Sequence, residues 1–347
     1  MGEQIDADKR RFLIYKQKII SSISFNGEHT MGIKGLIPAT LTPFDAQGGV
    51  DYDELEQHLR RVCSASGLYG VAVNGHAGEI LALNSEERKT IIARARQVIP
   101  PHLKLVAGIE GHHFDDLIEQ GLNAKAAGAD MLLVLPPFDV RPYRMLANHP
   151  ESVKAIFQRL NDEVGLPMIV FQYGESSGVA YSLDALRAIA EIPQVVAVKA
   201  ACFSTTTFVE IMNAVGDKLD VLAASDAPSL LGMLMYKCQG ALIGISVIDT
   251  QRWSDLVSSA TQGRLDQAQK LHTEFAIPIM DAVFENQLHK SHTSYFAATK
   301  EALYQAGHLK SPQIRPPLVT PDVRQKNVIA KCLRQIGLES HVLIKAA

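Results

Sequence analysis

Residues 195–201 read Val195-Val196-Ala197-Val198-Lys199-Ala200-Ala201, an apolar run broken by a single lysine. A continuous apolar run of this length, without polar alternation, predicts a strand buried on both faces, as in a parallel sheet. Seven runs of the same kind lie around it: Gly35–Thr42, Leu68–Asn74, Lys104–Ile109, Asp130–Leu135, Pro167–Gln172, Asp220–Ala224 and Ala241–Ile245. Amphipathic segments separate them. Asp51–Ala65, Ser85–Val98, Phe114–Ala127, Pro150–Leu160, Ser182–Ala190, Thr205–Val215, Pro228–Tyr236 and Trp253–Phe275 are expected to be helices, with Asn84 or Ser85 as the N-cap of the second. Eight strands, each followed by a helix, predict a (β/α)8 TIM barrel. The competing open, doubly wound sheet lacks a GxGxxG turn at the first helix.

The expected organisation is an N-terminal extension at 1–31, a barrel at 32–273 and a small helical C-terminal extension at 274–347 with a Pro-rich break at Ser311–Pro317. The first thirty residues carry an apolar stretch, Phe12–Phe25, interrupted by Lys16 and Lys18 and preceded by Glu3, Asp6 and Asp8. That fits neither a secretory signal nor an acid-poor transit peptide, so an accessory helix or frayed extension is expected, with Met31 as an alternative start. A formal net charge of −3 gives no basic surplus for a phosphate backbone, which argues against nucleic acid as a partner. No apolar run is long enough to span a bilayer as a helix. Cys63, Cys202, Cys238 and Cys332 are scattered without a CxxC pair, as expected of reduced thiols in a cytoplasmic enzyme.

In a barrel, chemistry gathers at the C-terminal ends of the strands. The polar groups expected there are Thr40 and Thr42, Asn74 with the turn Gly75-His76-Ala77-Gly78-Glu79, then Glu110, His112 and His113, Asp139, Gln172, Tyr173 and Glu175, Lys199, Ser225 and Asp226, and Ser246. Lys199 stands out, because a lysine enters such a run only when it is paired or used. Desolvation lowers an amine's pKa and frees it as a nucleophile toward a ketone, giving a Schiff base that acts as an electron sink. The structural alternative is an ion pair with Glu79 or Asp226. The Gly75–Gly78 turn can present N–H groups to a carboxylate. The loops after the seventh and eighth strands lack the paired glycines of a phosphate cradle. Adjacent histidines on a strand end point apart, so His112 and His113 are not expected to hold a metal.

Ile37-Pro38-Ala39-Thr40-Leu41-Thr42-Pro43-Phe44, the Gly75–Glu79 turn, Val196-Ala197-Val198-Lys199 and Gly240-Ala241-Leu242-Ile243-Gly244 together resemble the dihydrodipicolinate synthase and N-acetylneuraminate lyase superfamily over about residues 32–310. The resemblance implies a homotetramer or homodimer, no cofactor, and Lys199 as the lysine that forms an imine with a 2-oxo acid. It also implies that the synthase relay threonine falls on His76, its carboxylate-binding neighbour on Ala77, the strand-4 tyrosine on Asp139, the strand-5 tyrosine on Phe171 and the following arginine near Ser176. The lysine is therefore kept and the proton relay is not. Tyr173, two residues beyond Phe171 on the same strand face, can supply a phenol, and His76 or Asp139 a second proton carrier. The segment Leu135-Pro136-Pro137-Phe138 resembles the branch of sugar-acid dehydratases.

The expected function is a Schiff-base lyase, an aldolase or a dehydratase, acting on pyruvate or a 2-keto-3-deoxy acid. Lys199, Tyr173, His76 and Asp139 would be catalytic. Gly75, Ala77, Gly78, Thr42, Glu110, Gln172, Ser225 and Gly244 would bind substrate. The alternatives are a non-catalytic small-molecule binder on the same barrel and a synthase-like condensation of pyruvate with an aldehyde. A nicotinamide or flavin oxidoreductase has no supporting motif.

Overall fold

The computed structural model describes residues 32–111, 113–137, 143–284 and 294–338. Eight parallel strands form one sheet: β1 (Gly35–Pro38), β2 (Gly70–Val73), β3 (Lys104–Ile109), β4 (Met131–Val134), β5 (Met168–Gln172), β6 (Val195–Ala200), β7 (Asp220–Ala223) and β8 (Gly240–Ile243). Each pairs with its neighbour in sequence and β1 pairs with β8. Parallel bridges Leu36–Leu68 and Ala39–Ala72 join β1 to the β2 segment and close the ring. Closure leaves no unpaired edge, which explains why nearly every strand residue is buried and why the sequence shows unbroken apolar runs.

The helices of the eight units are α1 (Tyr52–Cys63), α2 (Ser85–Val98), α3 (Phe114–Ala126), α4 (Pro150–Glu163), α5 (Leu183–Ile189), α6 (Thr205–Val215), α7 (Leu230–Met235) and α8 (Thr250–Thr261). Side chains fix several starts. Asp51 accepts from Glu54 N–H, and Asn84 and Glu87 form a reciprocal capping box, so Asn84 is the N-cap. The helix expected over 253–275 is two helices. The chain turns left-handed at Gly263, Gly263 and Arg264 N–H close the end of α8, and α9 (Leu265–Leu271) then runs through a π-helical turn into α10 (Ile277–Phe284).

Beyond the barrel, α11 (Tyr295–Gln305) and α12 (Val323–Gln335) pack with α10 and with each other. The Pro-rich segment between them does not hang free. Arg315 donates to Gly48 O at 2.7 Å and Ala82 O at 2.6 Å, forks onto the Glu87 carboxylate, and lies 4.4 Å over the Phe44 ring. On the other side of α8, Arg252 donates to Ile336 O at 2.9 Å. The C-terminal helices are thus stitched to the loops at the mouth of the barrel. No described helix is long and apolar enough to cross a membrane. Residues 1–31, and with them the expected N-terminal helix, lie outside the described residues.

Candidate active site

Lys199 is the penultimate residue of β6, between Phe171 of β5 and Leu222 of β7 in register. Its Nζ lies 3.6 Å from the centroid of the Phe171 ring and is buried. Burial pulls the ammonium down to about 8, against the opposing field of Asp226. The same burial pushes the Asp226 carboxyl up to about 6, against the field of Lys199. No described residue lies within ion-pair distance of Lys199 Nζ. Glu79, the other conceivable partner, is taken: it pairs with Lys300 of α11, both side chains being essentially sealed from solvent. Lys199 is therefore not locked in a structural ion pair.

Aromatic rings continue from the amine. Tyr173 stacks on Phe171 at 4.4 Å and 9°, as its position two residues along the strand predicts. His76 lies 6.0 Å from Tyr173, 5.9 Å from Tyr295 and 6.0 Å from Phe296, ring centre to ring centre. Asp226 returns to the start, since its charge acts on both Lys199 and Tyr295. Amine, carboxylate, two phenols and an imidazole thus surround one place at the C-terminal mouth of the ring.

The Gly75–Glu79 turn forms the floor. Asn74 and Glu79, at its two ends, are both in left-handed backbone at φ 53° and 57°, a conformation that non-glycine residues adopt at a cost and that concentrates at functional sites. Asn74 Nδ2 donates to Arg88 O, and Thr42 Oγ1 donates to Gly78 O at 2.8 Å. Inside the turn Glu79 N–H donates to His76 O and Ile80 N–H to Gly75 O. The N–H groups of Ala77 and Gly78 meet no acceptor among the described residues. Gly108 of β3 permits this floor, because a Cβ there would stand 1.9 Å from Asn74 O and 2.9 Å from Gly75 Cα. Both atoms are backbone, so they cannot swing aside. Gly108→Ala is expected to cost about 3 kcal/mol of stability and to displace the turn. Urea unfolding checks the first effect; a cost below about 0.5 kcal/mol would mean the turn moves freely.

The expected site residues divide. Lys199, Tyr173, His76, Gly75, Ala77, Gly78 and Gly244 come together. Thr42 holds the turn with its hydroxyl. Gln172 bonds both ways to the backbone of Tyr181, at 3.0 Å each, so its amide braces the strand-5 loop. The Glu110 backbone is held by Gln120, and its charge acts on Arg88 of α2. Ser225 Oγ lies 3.1 Å from Ser229 Oγ. Asp139 and His112 lie outside the described residues. Among the described residues no group of three metal-ligating side chains forms.

Sequence reasoning missed Tyr295 and Phe296, and counted Asp226 among the strand-end polar groups and as an ion-pair alternative for Lys199 without naming it a site residue. Tyr295 and Phe296 begin a C-terminal helix about a hundred residues after Lys199, where no strand-end rule points. The only signal was an aromatic pair followed four residues on by a lysine, Lys300, that turns out to be fully buried.

The chain belongs to the dihydrodipicolinate synthetase family, whose model matches residues 32–336. That membership makes it an enzyme of general lyase or aldolase class. A 4-hydroxy-tetrahydrodipicolinate synthase of Methanothrix thermoacetophila is 28% identical over 252 residues, covering 72% of this chain and 82% of the relative. A Coccidioides immitis protein named as a mitochondrial 4-hydroxy-2-oxoglutarate aldolase is 25% identical, covering 78% and 85%. Among solved structures, a chloride-inhibited dihydrodipicolinate synthase of Acinetobacter baumannii complexed with pyruvate superposes with a TM-score of 0.78 at 23% identity, covering 88% of this chain and 99% of that one. At that identity the likeness speaks to the fold.

Proposed function

We propose that the protein is a Schiff-base-forming lyase acting on a 2-oxo acid such as pyruvate or a 2-keto-3-deoxy acid, either splitting or joining a carbon–carbon bond as an aldolase or removing water as a dehydratase. The observation that carries this reading is Lys199: a buried amine at the strand mouth, over an aromatic ring, with its pKa brought to about 8 and no ion-pair partner among the described residues. The neutral amine attacks C2 and the carbonyl oxygen leaves as water. The resulting protonated imine accepts the electron pair released at C3, so no cofactor is called for. In this reading the Ala77 and Gly78 N–H groups receive the C1 carboxylate. Tyr173, stacked on the Phe171 ring, and His76 beside it are the proposed proton carriers. Asp139 would share that work. The names of the relatives, a synthase and an aldolase, support a reaction that makes or breaks a bond to a pyruvate unit. The assembly proposed is a homotetramer or homodimer.

The test is reductive trapping. After incubation with pyruvate and a borohydride quench, the peptide containing Lys199 is expected to gain the mass of a reduced pyruvyl group. No adduct with a panel of 2-oxo acids would favour the non-catalytic binder. The same assay reads pH. Below about 8 the amine is protonated and cannot attack, so adduct formation before a quench at fixed pH should slow about tenfold per pH unit on descending from 7 to 6. A flat profile between pH 6 and 9 would show that this amine does not titrate there.

A further inference from the structure

Tyr295 opens α11 and has its ring fixed on three sides. It stacks on Phe284 at 5.4 Å and 24°, meets Phe296 edge-on at 5.4 Å, and meets His76 edge-on at 5.9 Å. These contacts aim the hydroxyl at the Gly75–Gly78 turn. The point where a Cβ on Gly244 would stand is 3.2 Å from Tyr295 Oη and 3.2 Å from Ala77 Cβ. A Cβ at 244 would press on the phenol more tightly than ordinary contact, so the bare backbone there leaves room for it. Ala77 brings only a methyl to this spot.

Three donors consequently gather without acceptors. The N–H groups of Ala77 and Gly78 have none among the described residues, and no described residue accepts from Tyr295 Oη. Burial, with the nearby charge of Asp226, raises the phenol's pKa, so the hydroxyl keeps its proton and remains a donor. Glu79, the carboxylate at the end of the turn, is neutralised by Lys300 and does not repel an incoming anion. Two adjacent N–H groups and one O–H suit the two oxygens of a carboxylate better than a single carbonyl oxygen.

We propose that the Tyr295 hydroxyl donates to the carboxylate of the bound 2-oxo acid, beside the N–H groups of Ala77 and Gly78, and so sets the preference for 2-oxo acids over uncharged ketones. The inference rests on the reading of Lys199 as the imine-forming amine. It makes Tyr295, contributed by the C-terminal helices, a substrate-recognition residue of the barrel.

The experiment compares pyruvate with propanone, which keeps the ketone and replaces the carboxylate by a methyl group. Both are titrated against the wild-type protein and Tyr295→Phe. The adduct at Lys199, a new C–N bond with loss of water followed by hydride reduction of the imine, is measured by mass. Phenylalanine keeps the ring contacts and removes one oxygen. The half-saturating concentration of pyruvate should rise about 10- to 100-fold in Tyr295→Phe, as expected for losing a hydrogen bond to a charged group. Propanone should stay within about twofold, which also certifies that the variant is folded around its amine. An unchanged pyruvate titration, or an equal rise for both ketones, overturns the inference while leaving the imine intact. Absence of any adduct in the wild-type protein overturns the imine reading and this inference together.

Discussion

Lys300→Met is expected to destabilise the protein by about 3–5 kcal/mol, measured as free energy of unfolding in urea. Lys300 is completely buried, its ammonium pairs with Glu79 and donates to Gln313 O at 3.0 Å, and it sits 4.2 Å over the Phe44 ring. Burial alone acts to lower the Lys300 pKa and raise that of Glu79, so each ion is tolerated only because of the other. Removing the lysine leaves an uncompensated carboxylate on the strained end of the Gly75–Glu79 turn. Glu79→Gln combined with Lys300→Met should recover most of the loss, because a neutral amide has no charge to strand. A loss below about 1 kcal/mol for the single variant would mean that water reaches the pair and screens it as at a surface. A double variant no better than the single would mean that the damage is packing around Phe44 rather than charge.

His58 of α1 is the source of the second large effect. Its side chain is completely buried, and neither ring nitrogen has a hydrogen-bond partner among the described residues. Burial, reinforced by the charges of Arg61, His308 and Lys300, pulls its pKa down to about 3. The unfolded chain protonates this imidazole near 6.5, whereas the folded chain resists until about 3. The contribution is therefore fully present above 6.5 and is lost progressively as the pH falls toward 3. Over the whole window it amounts to roughly 4 kcal/mol, and to roughly 2–3 kcal/mol by pH 4.5. Urea unfolding at pH 7 and pH 4.5 should thus show a smaller acid loss in His58→Leu than in the wild-type protein, by that 2–3 kcal/mol. Equal losses would place the acid sensitivity elsewhere, for instance at His272 and His308, whose pKa values burial also lowers.

The barrel was legible because a strand covered on both faces must be apolar along its whole length, and each of the eight runs marks itself that way. Lys104–Ile109 is found at its expected bounds, and Thr205–Val215 likewise among the helices. Lys199 was legible for the same reason, as the single charge in a dry strand. The break of the 253–275 segment was not, since its apolar pattern continues on either side of Gly263 and only the local hydrogen bonds turn the chain. Thr42 and Gln172 show what position along the chain leaves open. Polar side chains at strand ends were expected to face substrate, yet both hold neighbouring backbone, which a position along the chain does not distinguish. Tyr295 was hidden because its neighbours His76 and Ala77 are more than two hundred residues away, and only the closure of the ring brings the last helices over the second strand's turn.

The clasp made by Arg315 has an evolutionary side. Its guanidinium grips Gly48 and Ala82 in the first two loops and Glu87 at the start of α2, while the preceding helix delivers Tyr295 and Lys300. Drift in the tail is thereby coupled to drift in the first two units of the ring, and a shuffled gene that exchanged one without the other would inherit a mismatched mouth.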